Sequence, residues 1–255
     1  MLPEFIRQTP FGVCVTLEST EQLTWLSDHL EEICLSVGLI VARGLCPLSR
    51  EQLLDFSSGT DRDLLHWEFG PVMEMTPDDT AKNYLFTREA VPFHWDGAFL
   101  KEPGFLVFNC VDAPTLNSGG ETLFCHTELV WNSLNAAEQN LLRHVSVTYE
   151  TKKLAHYGGS VTVPIVSEHP LTGRTVLRYA EPVSSEKNPV TQKIHGKEGD
   201  EIRRLLKDLI YNPRNCYSHQ WQSGDLIIAD NRTLIHGRNQ FSSEALRHFR
   251  RVQIL

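Results

Sequence analysis

Hydrophobic positions divide this chain into two textures. Within residues 19–36, Leu23, Leu26, Leu30 and Ile33 recur three or four apart behind Ser19 and Thr20, which predicts an amphipathic helix with a hydroxyl at its N-terminus. VGLIVARG (37–44) is a short continuous apolar run, expected as a buried strand. LSREQLLDFSSGT (48–60) reads as a second helix ending near Gly59. From about residue 70 the apolar runs shorten to four to eight residues between turn clusters, the mark of many strands. The strongest is 104–113, and 119–126, 145–151, 175–181, 224–231 and 249–255 continue the pattern, with HPLTGR (169–174) as a tight connection. Helical interruptions are expected at 128–144 and 199–212. Residues 180–199 are polar and poor in apolar positions, so they read as a loop or lid candidate.

This order of elements predicts a mixed α/β, mainly β fold: a double-stranded β-helix (jelly-roll) core with flanking helices. Composition adds limits. The chain has 255 residues, 41% hydrophobic and 22% charged, with no compositional break, so one domain over 1–255 is expected. A formal charge of −8 speaks against a general nucleic-acid binder, because that role rests on Lys and Arg neutralising phosphates. The basic cluster Arg247, Arg250 and Arg251 is too short for such a footprint but suits a small anionic ligand. No basic leader precedes a long apolar run, and no stretch approaches the ~20 apolar residues of a membrane span. A cytoplasmic protein with no membrane partner is the expectation, its oligomeric state open, with a homo-oligomer among the options. Cys14, Cys34, Cys46, Cys110, Cys125 and Cys216 contain no C-x-x-C pair, which predicts free thiols in a reducing compartment.

Candidate chemistry centres on VPFHWDGAF (91–99). On a strand, His94 and Asp96 would leave the same face, so an imidazole and a carboxylate converge. Far downstream a glycine-led apolar strand, Gly224 to Ala229, feeds Asp230-Asn231-Arg232 and then His236. Two His and one carboxylate on one face of an octahedron, the other positions open, is the donor set of non-haem iron(II) oxygenases. Arg247 and Arg251 follow, and in a strand they would point the same way as Phe249. Arginine suits a terminal carboxylate because its planar fork pairs both oxygens. His156-Tyr157-Gly158-Gly159 is a turn that could border the pocket, and the other histidines have no second ligand at a metal spacing. No G-x-S-x-G elbow or P-loop occurs, so hydrolase and nucleotide-binding readings lack support.

Taken together, His94-Trp95-Asp96, Gly119-Gly120-Glu121-Thr122, Asp230-Asn231-Arg232 with His236, and Arg247 with Arg251 resemble the taurine dioxygenase (TauD-like) superfamily, over roughly residues 60–255. The resemblance implies Fe(II) held by His94, Asp96 and His236, with 2-oxoglutarate as cosubstrate and O2 as oxidant. It implies that Thr122 and Arg247 contact 2-oxoglutarate and that Arg251 holds an acidic group of a small-molecule substrate. Where taurine-type enzymes carry His-Pro-Val-Tyr, this chain reads Gly70-Pro71-Val72-Met73, which removes polar grip and adds soft apolar surface. The phrases HWEFGPVMEM (66–75), AKNYLF (81–86) and VPFHWDGAF look similar to the oxygenases that act beside isonitrile synthases in pyoverdine-chromophore-like (Pvc) pathways. That resemblance implies an isonitrile of tyrosine or tryptophan, desaturated at Cα–Cβ with or without loss of its carboxylate. Met73, Tyr84 and Phe86 are then candidates for the aromatic pocket. The alternatives are a TauD-like hydroxylase of another small organic acid and a catalytically silent metal-binding barrel. Halogenation is disfavoured because Asp96 occupies the place that halide would need.

Overall fold

The computed structural model describes residues 2–78, 80–81, 86–152, 159–184, 189–196, 198–242 and 245–255. Tyr84 and His156–Gly158 lie outside this set. The strands are β1 (Phe5–Arg7), β2 (Val13–Thr16), β3 (Leu39–Arg43), β4 (Met73–Met75), β5 (Val91–His94), β6 (Phe105–Asp112), β7 (Thr122–His126) and β8 (Ser146–Thr151). They continue as β9 (Ser160–Pro164), β10 (Val166–Glu168), β11 (Thr175–Leu177), β12 (Val190–Ile194), β13 (Cys216–His219), β14 (Leu226–Asp230), β15 (Leu234–Arg238) and β16 (His248–Ile254). The helices are α1 (Thr20–Val37), α2 (Arg50–Ser57), α3 (Thr127–Ser133), α4 (Ala136–Arg143) and α5 (Gly199–Ile210).

A large sheet runs β1-β2-β3-β14-β6-β16-β4, and a smaller one runs β13-β7-β15-β5. Pairing is antiparallel except between β2 and β3, which α1 joins by the crossover that a parallel pair requires. Strand alternation sorts side chains between two faces. On the large sheet Ile40, Val107, Ile228 and Ile254 pack outward against Leu26, Leu30 and Phe56 of α1 and α2. Their neighbours Val41, Phe108, Ile227 and Phe249 turn inward and meet Phe124 and Leu234 of the small sheet. Behind the small sheet, Phe93, Cys125 and Ile235 bury against Trp131, Leu142, Leu206 and Ile210 of the remaining helices. The result is the jelly-roll core with flanking helices, its interior lying between β14-β6-β16 and β7-β15-β5.

Helix boundaries follow local chemistry. Ser19 accepts the Gln22 N–H at the start of α1, and Ser49 forms a capping box with Gln52 at α2. The helical stretch expected over 128–144 is two helices. Leu134 is extended, and Asn135 with Glu138 forms a capping box that starts α4 afresh. The 175–181 run is a strand only over Thr175–Leu177; beyond it the chain follows β5, where the Glu181 N–H donates to the Phe93 carbonyl at 2.8 Å. The 180–199 stretch is less loop-like than its composition predicts. Val183 and Val190 exchange backbone hydrogen bonds, and β12 pairs with β8 along five residues.

Candidate metal centre and substrate cavity

β5 and β15 are neighbours with His94 directly opposite His236, so the pairing register alone brings two imidazoles together, their ring centroids 4.3 Å apart. Gly237 permits this approach, because a Cβ there would sit 2.8 Å from the Val91 carbonyl oxygen. Asp96 arrives differently. β5 ends at His94, and Asp96 lies in the turn beyond it. Asn231 draws it in: its Oδ1 accepts the Asp96 N–H at 3.0 Å, and its Nδ2 donates to the carbonyls of Asp96 and Pro103. Strand alternation therefore accounts for the facing of His94, and a side-chain clamp from the loop before His236 accounts for that of Asp96.

The three donors lie within 4.8 Å of one another. Asp96 Oδ1 is 3.6 Å from His94 Nε2 and 3.8 Å from His236 Nε2. The His94 Nδ1–H donates to the Pro92 carbonyl at 2.9 Å, which leaves Nε2 as a bare lone pair. Burial, with His94 and Arg251 nearby, pushes the His236 pKa down to about 3, so this imidazole is neutral and free to donate. Burial opposes ionisation of Asp96, but Arg251 and the two imidazoles outweigh it and hold the carboxyl well below its usual range. Two imidazole nitrogens and one anionic oxygen converging on a point fit a divalent cation.

Deeper in the barrel, Thr122 in β7 stands opposite Arg238 in β15, on the same face as His236. The Thr122 hydroxyl accepts the Trp221 indole N–H at 2.9 Å, leaving its own proton to donate. Trp221 meets Phe249 edge-on with ring centroids 4.5 Å apart, and the Arg247 guanidinium lies over the Phe249 ring, 4.1 Å from its centroid. Arg247 is buried, and its Nε has no hydrogen-bond partner. Burial and the nearby Arg238 push its pKa well below the ordinary arginine value. Since a guanidinium does not give up its proton, the shift marks a buried charge in want of an anion. A carboxylate of a bound dicarboxylate would supply that anion. Trp221 was not singled out by any sequence pattern, because a lone tryptophan between turns carries no periodic signal.

A cavity of about 160 Å3 is lined by two of the three donors, His94 and Asp96. Its walls are mainly apolar and aromatic, with Trp67, Phe69, Phe99 and Tyr149 joined by Met73 and Phe86 from the sequence reading. Gly70 closes a tight turn through reciprocal backbone bonds with Trp67 and is not among the lining residues. Arg251 lines the cavity but is already engaged, its Nη1 2.9 Å from Asp96 Oδ2 and its Nη2 donating to Met73 Sδ at 3.4 Å. Its buried Nε has no partner. Part of the lid candidate, Ala180, Glu181, Val183 and Val190, forms one wall.

Comparison with known proteins agrees with this geometry. The family model for "Taurine catabolism dioxygenase TauD, TfdA family" matches residues 7–253. The chain is 40% identical to a 3-((Z)-2-isocyanoethenyl)-1H-indole synthase of Fischerella ambigua, over 97% of this chain and 93% of that one. It is 35% identical to a tyrosine isonitrile desaturase of Pseudomonas aeruginosa, over 89% of this chain and 81% of the other. Among solved structures it superposes on PvcB, described as an Fe, alpha-ketoglutarate dependent oxygenase from an isonitrile synthetic pathway. That match has a TM-score of 0.81 and 31% identity, covering 99% of this chain and 91% of PvcB. A taurine dioxygenase of Burkholderia xenovorans, at 17% identity and a TM-score of 0.73, shares the fold. Among the described residues no helix is long and apolar enough to cross a membrane. With its donor triad, buried arginine and jelly-roll core, the chain belongs to the TauD/TfdA family of dioxygenases.

Proposed function

We propose that this chain, acting as one catalytic unit over 1–255, is an Fe(II)- and 2-oxoglutarate-dependent oxygenase that desaturates an isonitrile derived from an aromatic amino acid. The observation that carries the reading is a two-His, one-Asp donor set whose His94 and Asp96 line an aromatic-walled cavity, with Arg251 in the same lining against Asp96. The named activities of the relatives at 40% and 35% identity point to the same chemistry. His94, Asp96 and His236 would hold the metal, and Thr122 and Arg247 the 2-oxoglutarate. Iron(II) with 2-oxoglutarate and O2 supplies the oxidising power: 2-oxoglutarate loses CO2 to become succinate, one oxygen atom enters succinate, and the other leaves as water with the two hydrogens taken from the substrate.

The protein supplies position and dryness. Trp67, Phe69, Phe86 and Tyr149 offer flat apolar walls to an indole or phenol ring. Arg251 sits where the ring's acidic tail would approach the donor triad, with its unpartnered Nε available to a carboxylate. Closing the cavity around an apolar substrate excludes water from the oxidising centre.

The test is product mass analysis after incubating the Fe(II)-loaded protein with 2-oxoglutarate and the isonitriles of tryptophan and tyrosine. Loss of two hydrogens, with or without loss of CO2, is the expected result, coupled to succinate release. Gain of one oxygen instead would make the chain a hydroxylase, and no substrate-stimulated succinate would overturn the reading.

A further inference from the structure

Gln253 is buried in β16 on the same face as Arg251 and Phe249, yet it is a primary amide in a largely aromatic setting. A buried amide is costly unless its hydrogen bonds are made, and at this position both are made toward the site. Its Nε2 donates to Asp96 Oδ2 at 2.5 Å, and its Oε1 accepts the Trp67 indole N–H at 3.1 Å. Its backbone needs no such help, since it pairs with Leu106 in the sheet and its carbonyl accepts the Leu65 N–H. Asp96 Oδ2 thus receives two donors, Gln253 and Arg251, while Oδ1 faces the two imidazoles.

We propose that Gln253 is a positioning residue for the metal carboxylate, and that Trp67 sets the orientation of the Gln253 amide from the cavity wall. This rests on the reading of His94, Asp96 and His236 as metal ligands. Oδ2 is taken up by two donors, so Oδ1 is the oxygen that Asp96 would offer to a metal. Trp67 ties this arrangement to the cavity mouth. Its ring stacks on Phe69 at 6.3 Å and 15°, and Phe69 is 52% exposed at the rim. An aromatic substrate settling against Trp67 would therefore press on a residue only two hydrogen bonds from a metal ligand. Partners that orient ligating carboxylates are worth roughly 10- to 100-fold in metal affinity.

Cobalt(II) alone is the probe, titrated into metal-free protein and read by its visible spectrum, which reports both affinity and coordination geometry. Gln253→Leu is expected to weaken Co(II) binding roughly 10- to 100-fold and to change the spectrum, in protein that still folds, as its far-ultraviolet spectrum and cooperative melting check. Trp67→Phe retains the ring and removes only the N–H, and is expected to act in the same direction by less. Affinity and spectrum equal to wild type in both variants overturn the proposal. If Gln253→Leu does not fold, Trp67→Phe decides alone, and an unchanged spectrum there overturns it. Failure of the wild type itself to bind Co(II) sinks the metal-centre reading, a result distinct from silent variants of a protein that does bind.

Discussion

Asn231 makes three hydrogen bonds from one buried amide group, two to the backbone of Asp96 and one to Pro103. Replacing it by alanine leaves those buried groups without partners, each worth about 1–3 kcal/mol. Asn231→Ala is therefore expected to lose several kcal/mol in denaturant unfolding and to bind Co(II) at least about tenfold more weakly. Wild-type stability together with wild-type affinity would show that Asp96 needs no clamp. The same pair of residues marks how far single positions were readable. His94, Asp96 and His236 stood out because chemistry limits which side chains ligate iron, and Arg247 because an arginine that follows the second half of the donor motif suits a carboxylate and matches the family pattern. The partners of those residues did not stand out. That Arg251 rests on Asp96, and that Gln253 joins it there, depends on distances of an ångström between strands far apart in the chain.

Elements meet end to end at one sensitive place. Gly38, at φ +79, closes α1 with its N–H on the Cys34 carbonyl, and a Cβ added there would lie 3.2 Å from the His126 ring, which begins α3. His126 is buried, and burial with Arg174 nearby pushes its pKa from 6.5 down to about 4. The unfolded chain takes up this proton below pH about 6.5, while the folded protein resists it until about 4. Stability from this group is therefore full above the unfolded value and falls as pH drops between the two, by up to about 3 kcal/mol. Denaturant unfolding of the metal-free protein from pH 7 to pH 4.5 should show the loss, and His126→Leu should make it smaller, the remainder coming from other buried histidines such as His236. Equal pH slopes in both proteins would rule His126 out as the cause. The start of α1 was legible from such capping chemistry at Ser19, whereas the capping boxes at Ser49 and Asn135 were not singled out, and the second of them breaks the stretch 128–144 that reads as one helix. β12 was not legible either, because Thr191, Gln192 and Lys193 carry no apolar alternation and pair with β8 on a half-exposed sheet.

At the scale of the molecule, the many-strand texture and the order of the motifs gave the barrel, since alternation and turn spacing are local properties. The neighbour relations are not local. β6 is flanked by β14 and β16, and β16 separates β6 from β4, with more than a hundred residues between each pair of partners in sequence. β16 and the residue before it carry both arginines of the site and Gln253. Contacts between distant segments form late, because the loop between them must first be closed at an entropic cost. The ability to capture a metal is thus expected to double as a record of chain history, acquired once residues 248–254, which bring Arg251 and Gln253 to Asp96, have slotted between β6 and β4. When denatured protein is diluted into buffer containing Co(II), the visible band should rise with the slowest tertiary phase, after far-ultraviolet signal has returned. A band that precedes that phase would mean the donor triad assembles without its final strand. If it does not, partly folded chains carry no iron, and an oxidising centre exists only inside a finished barrel.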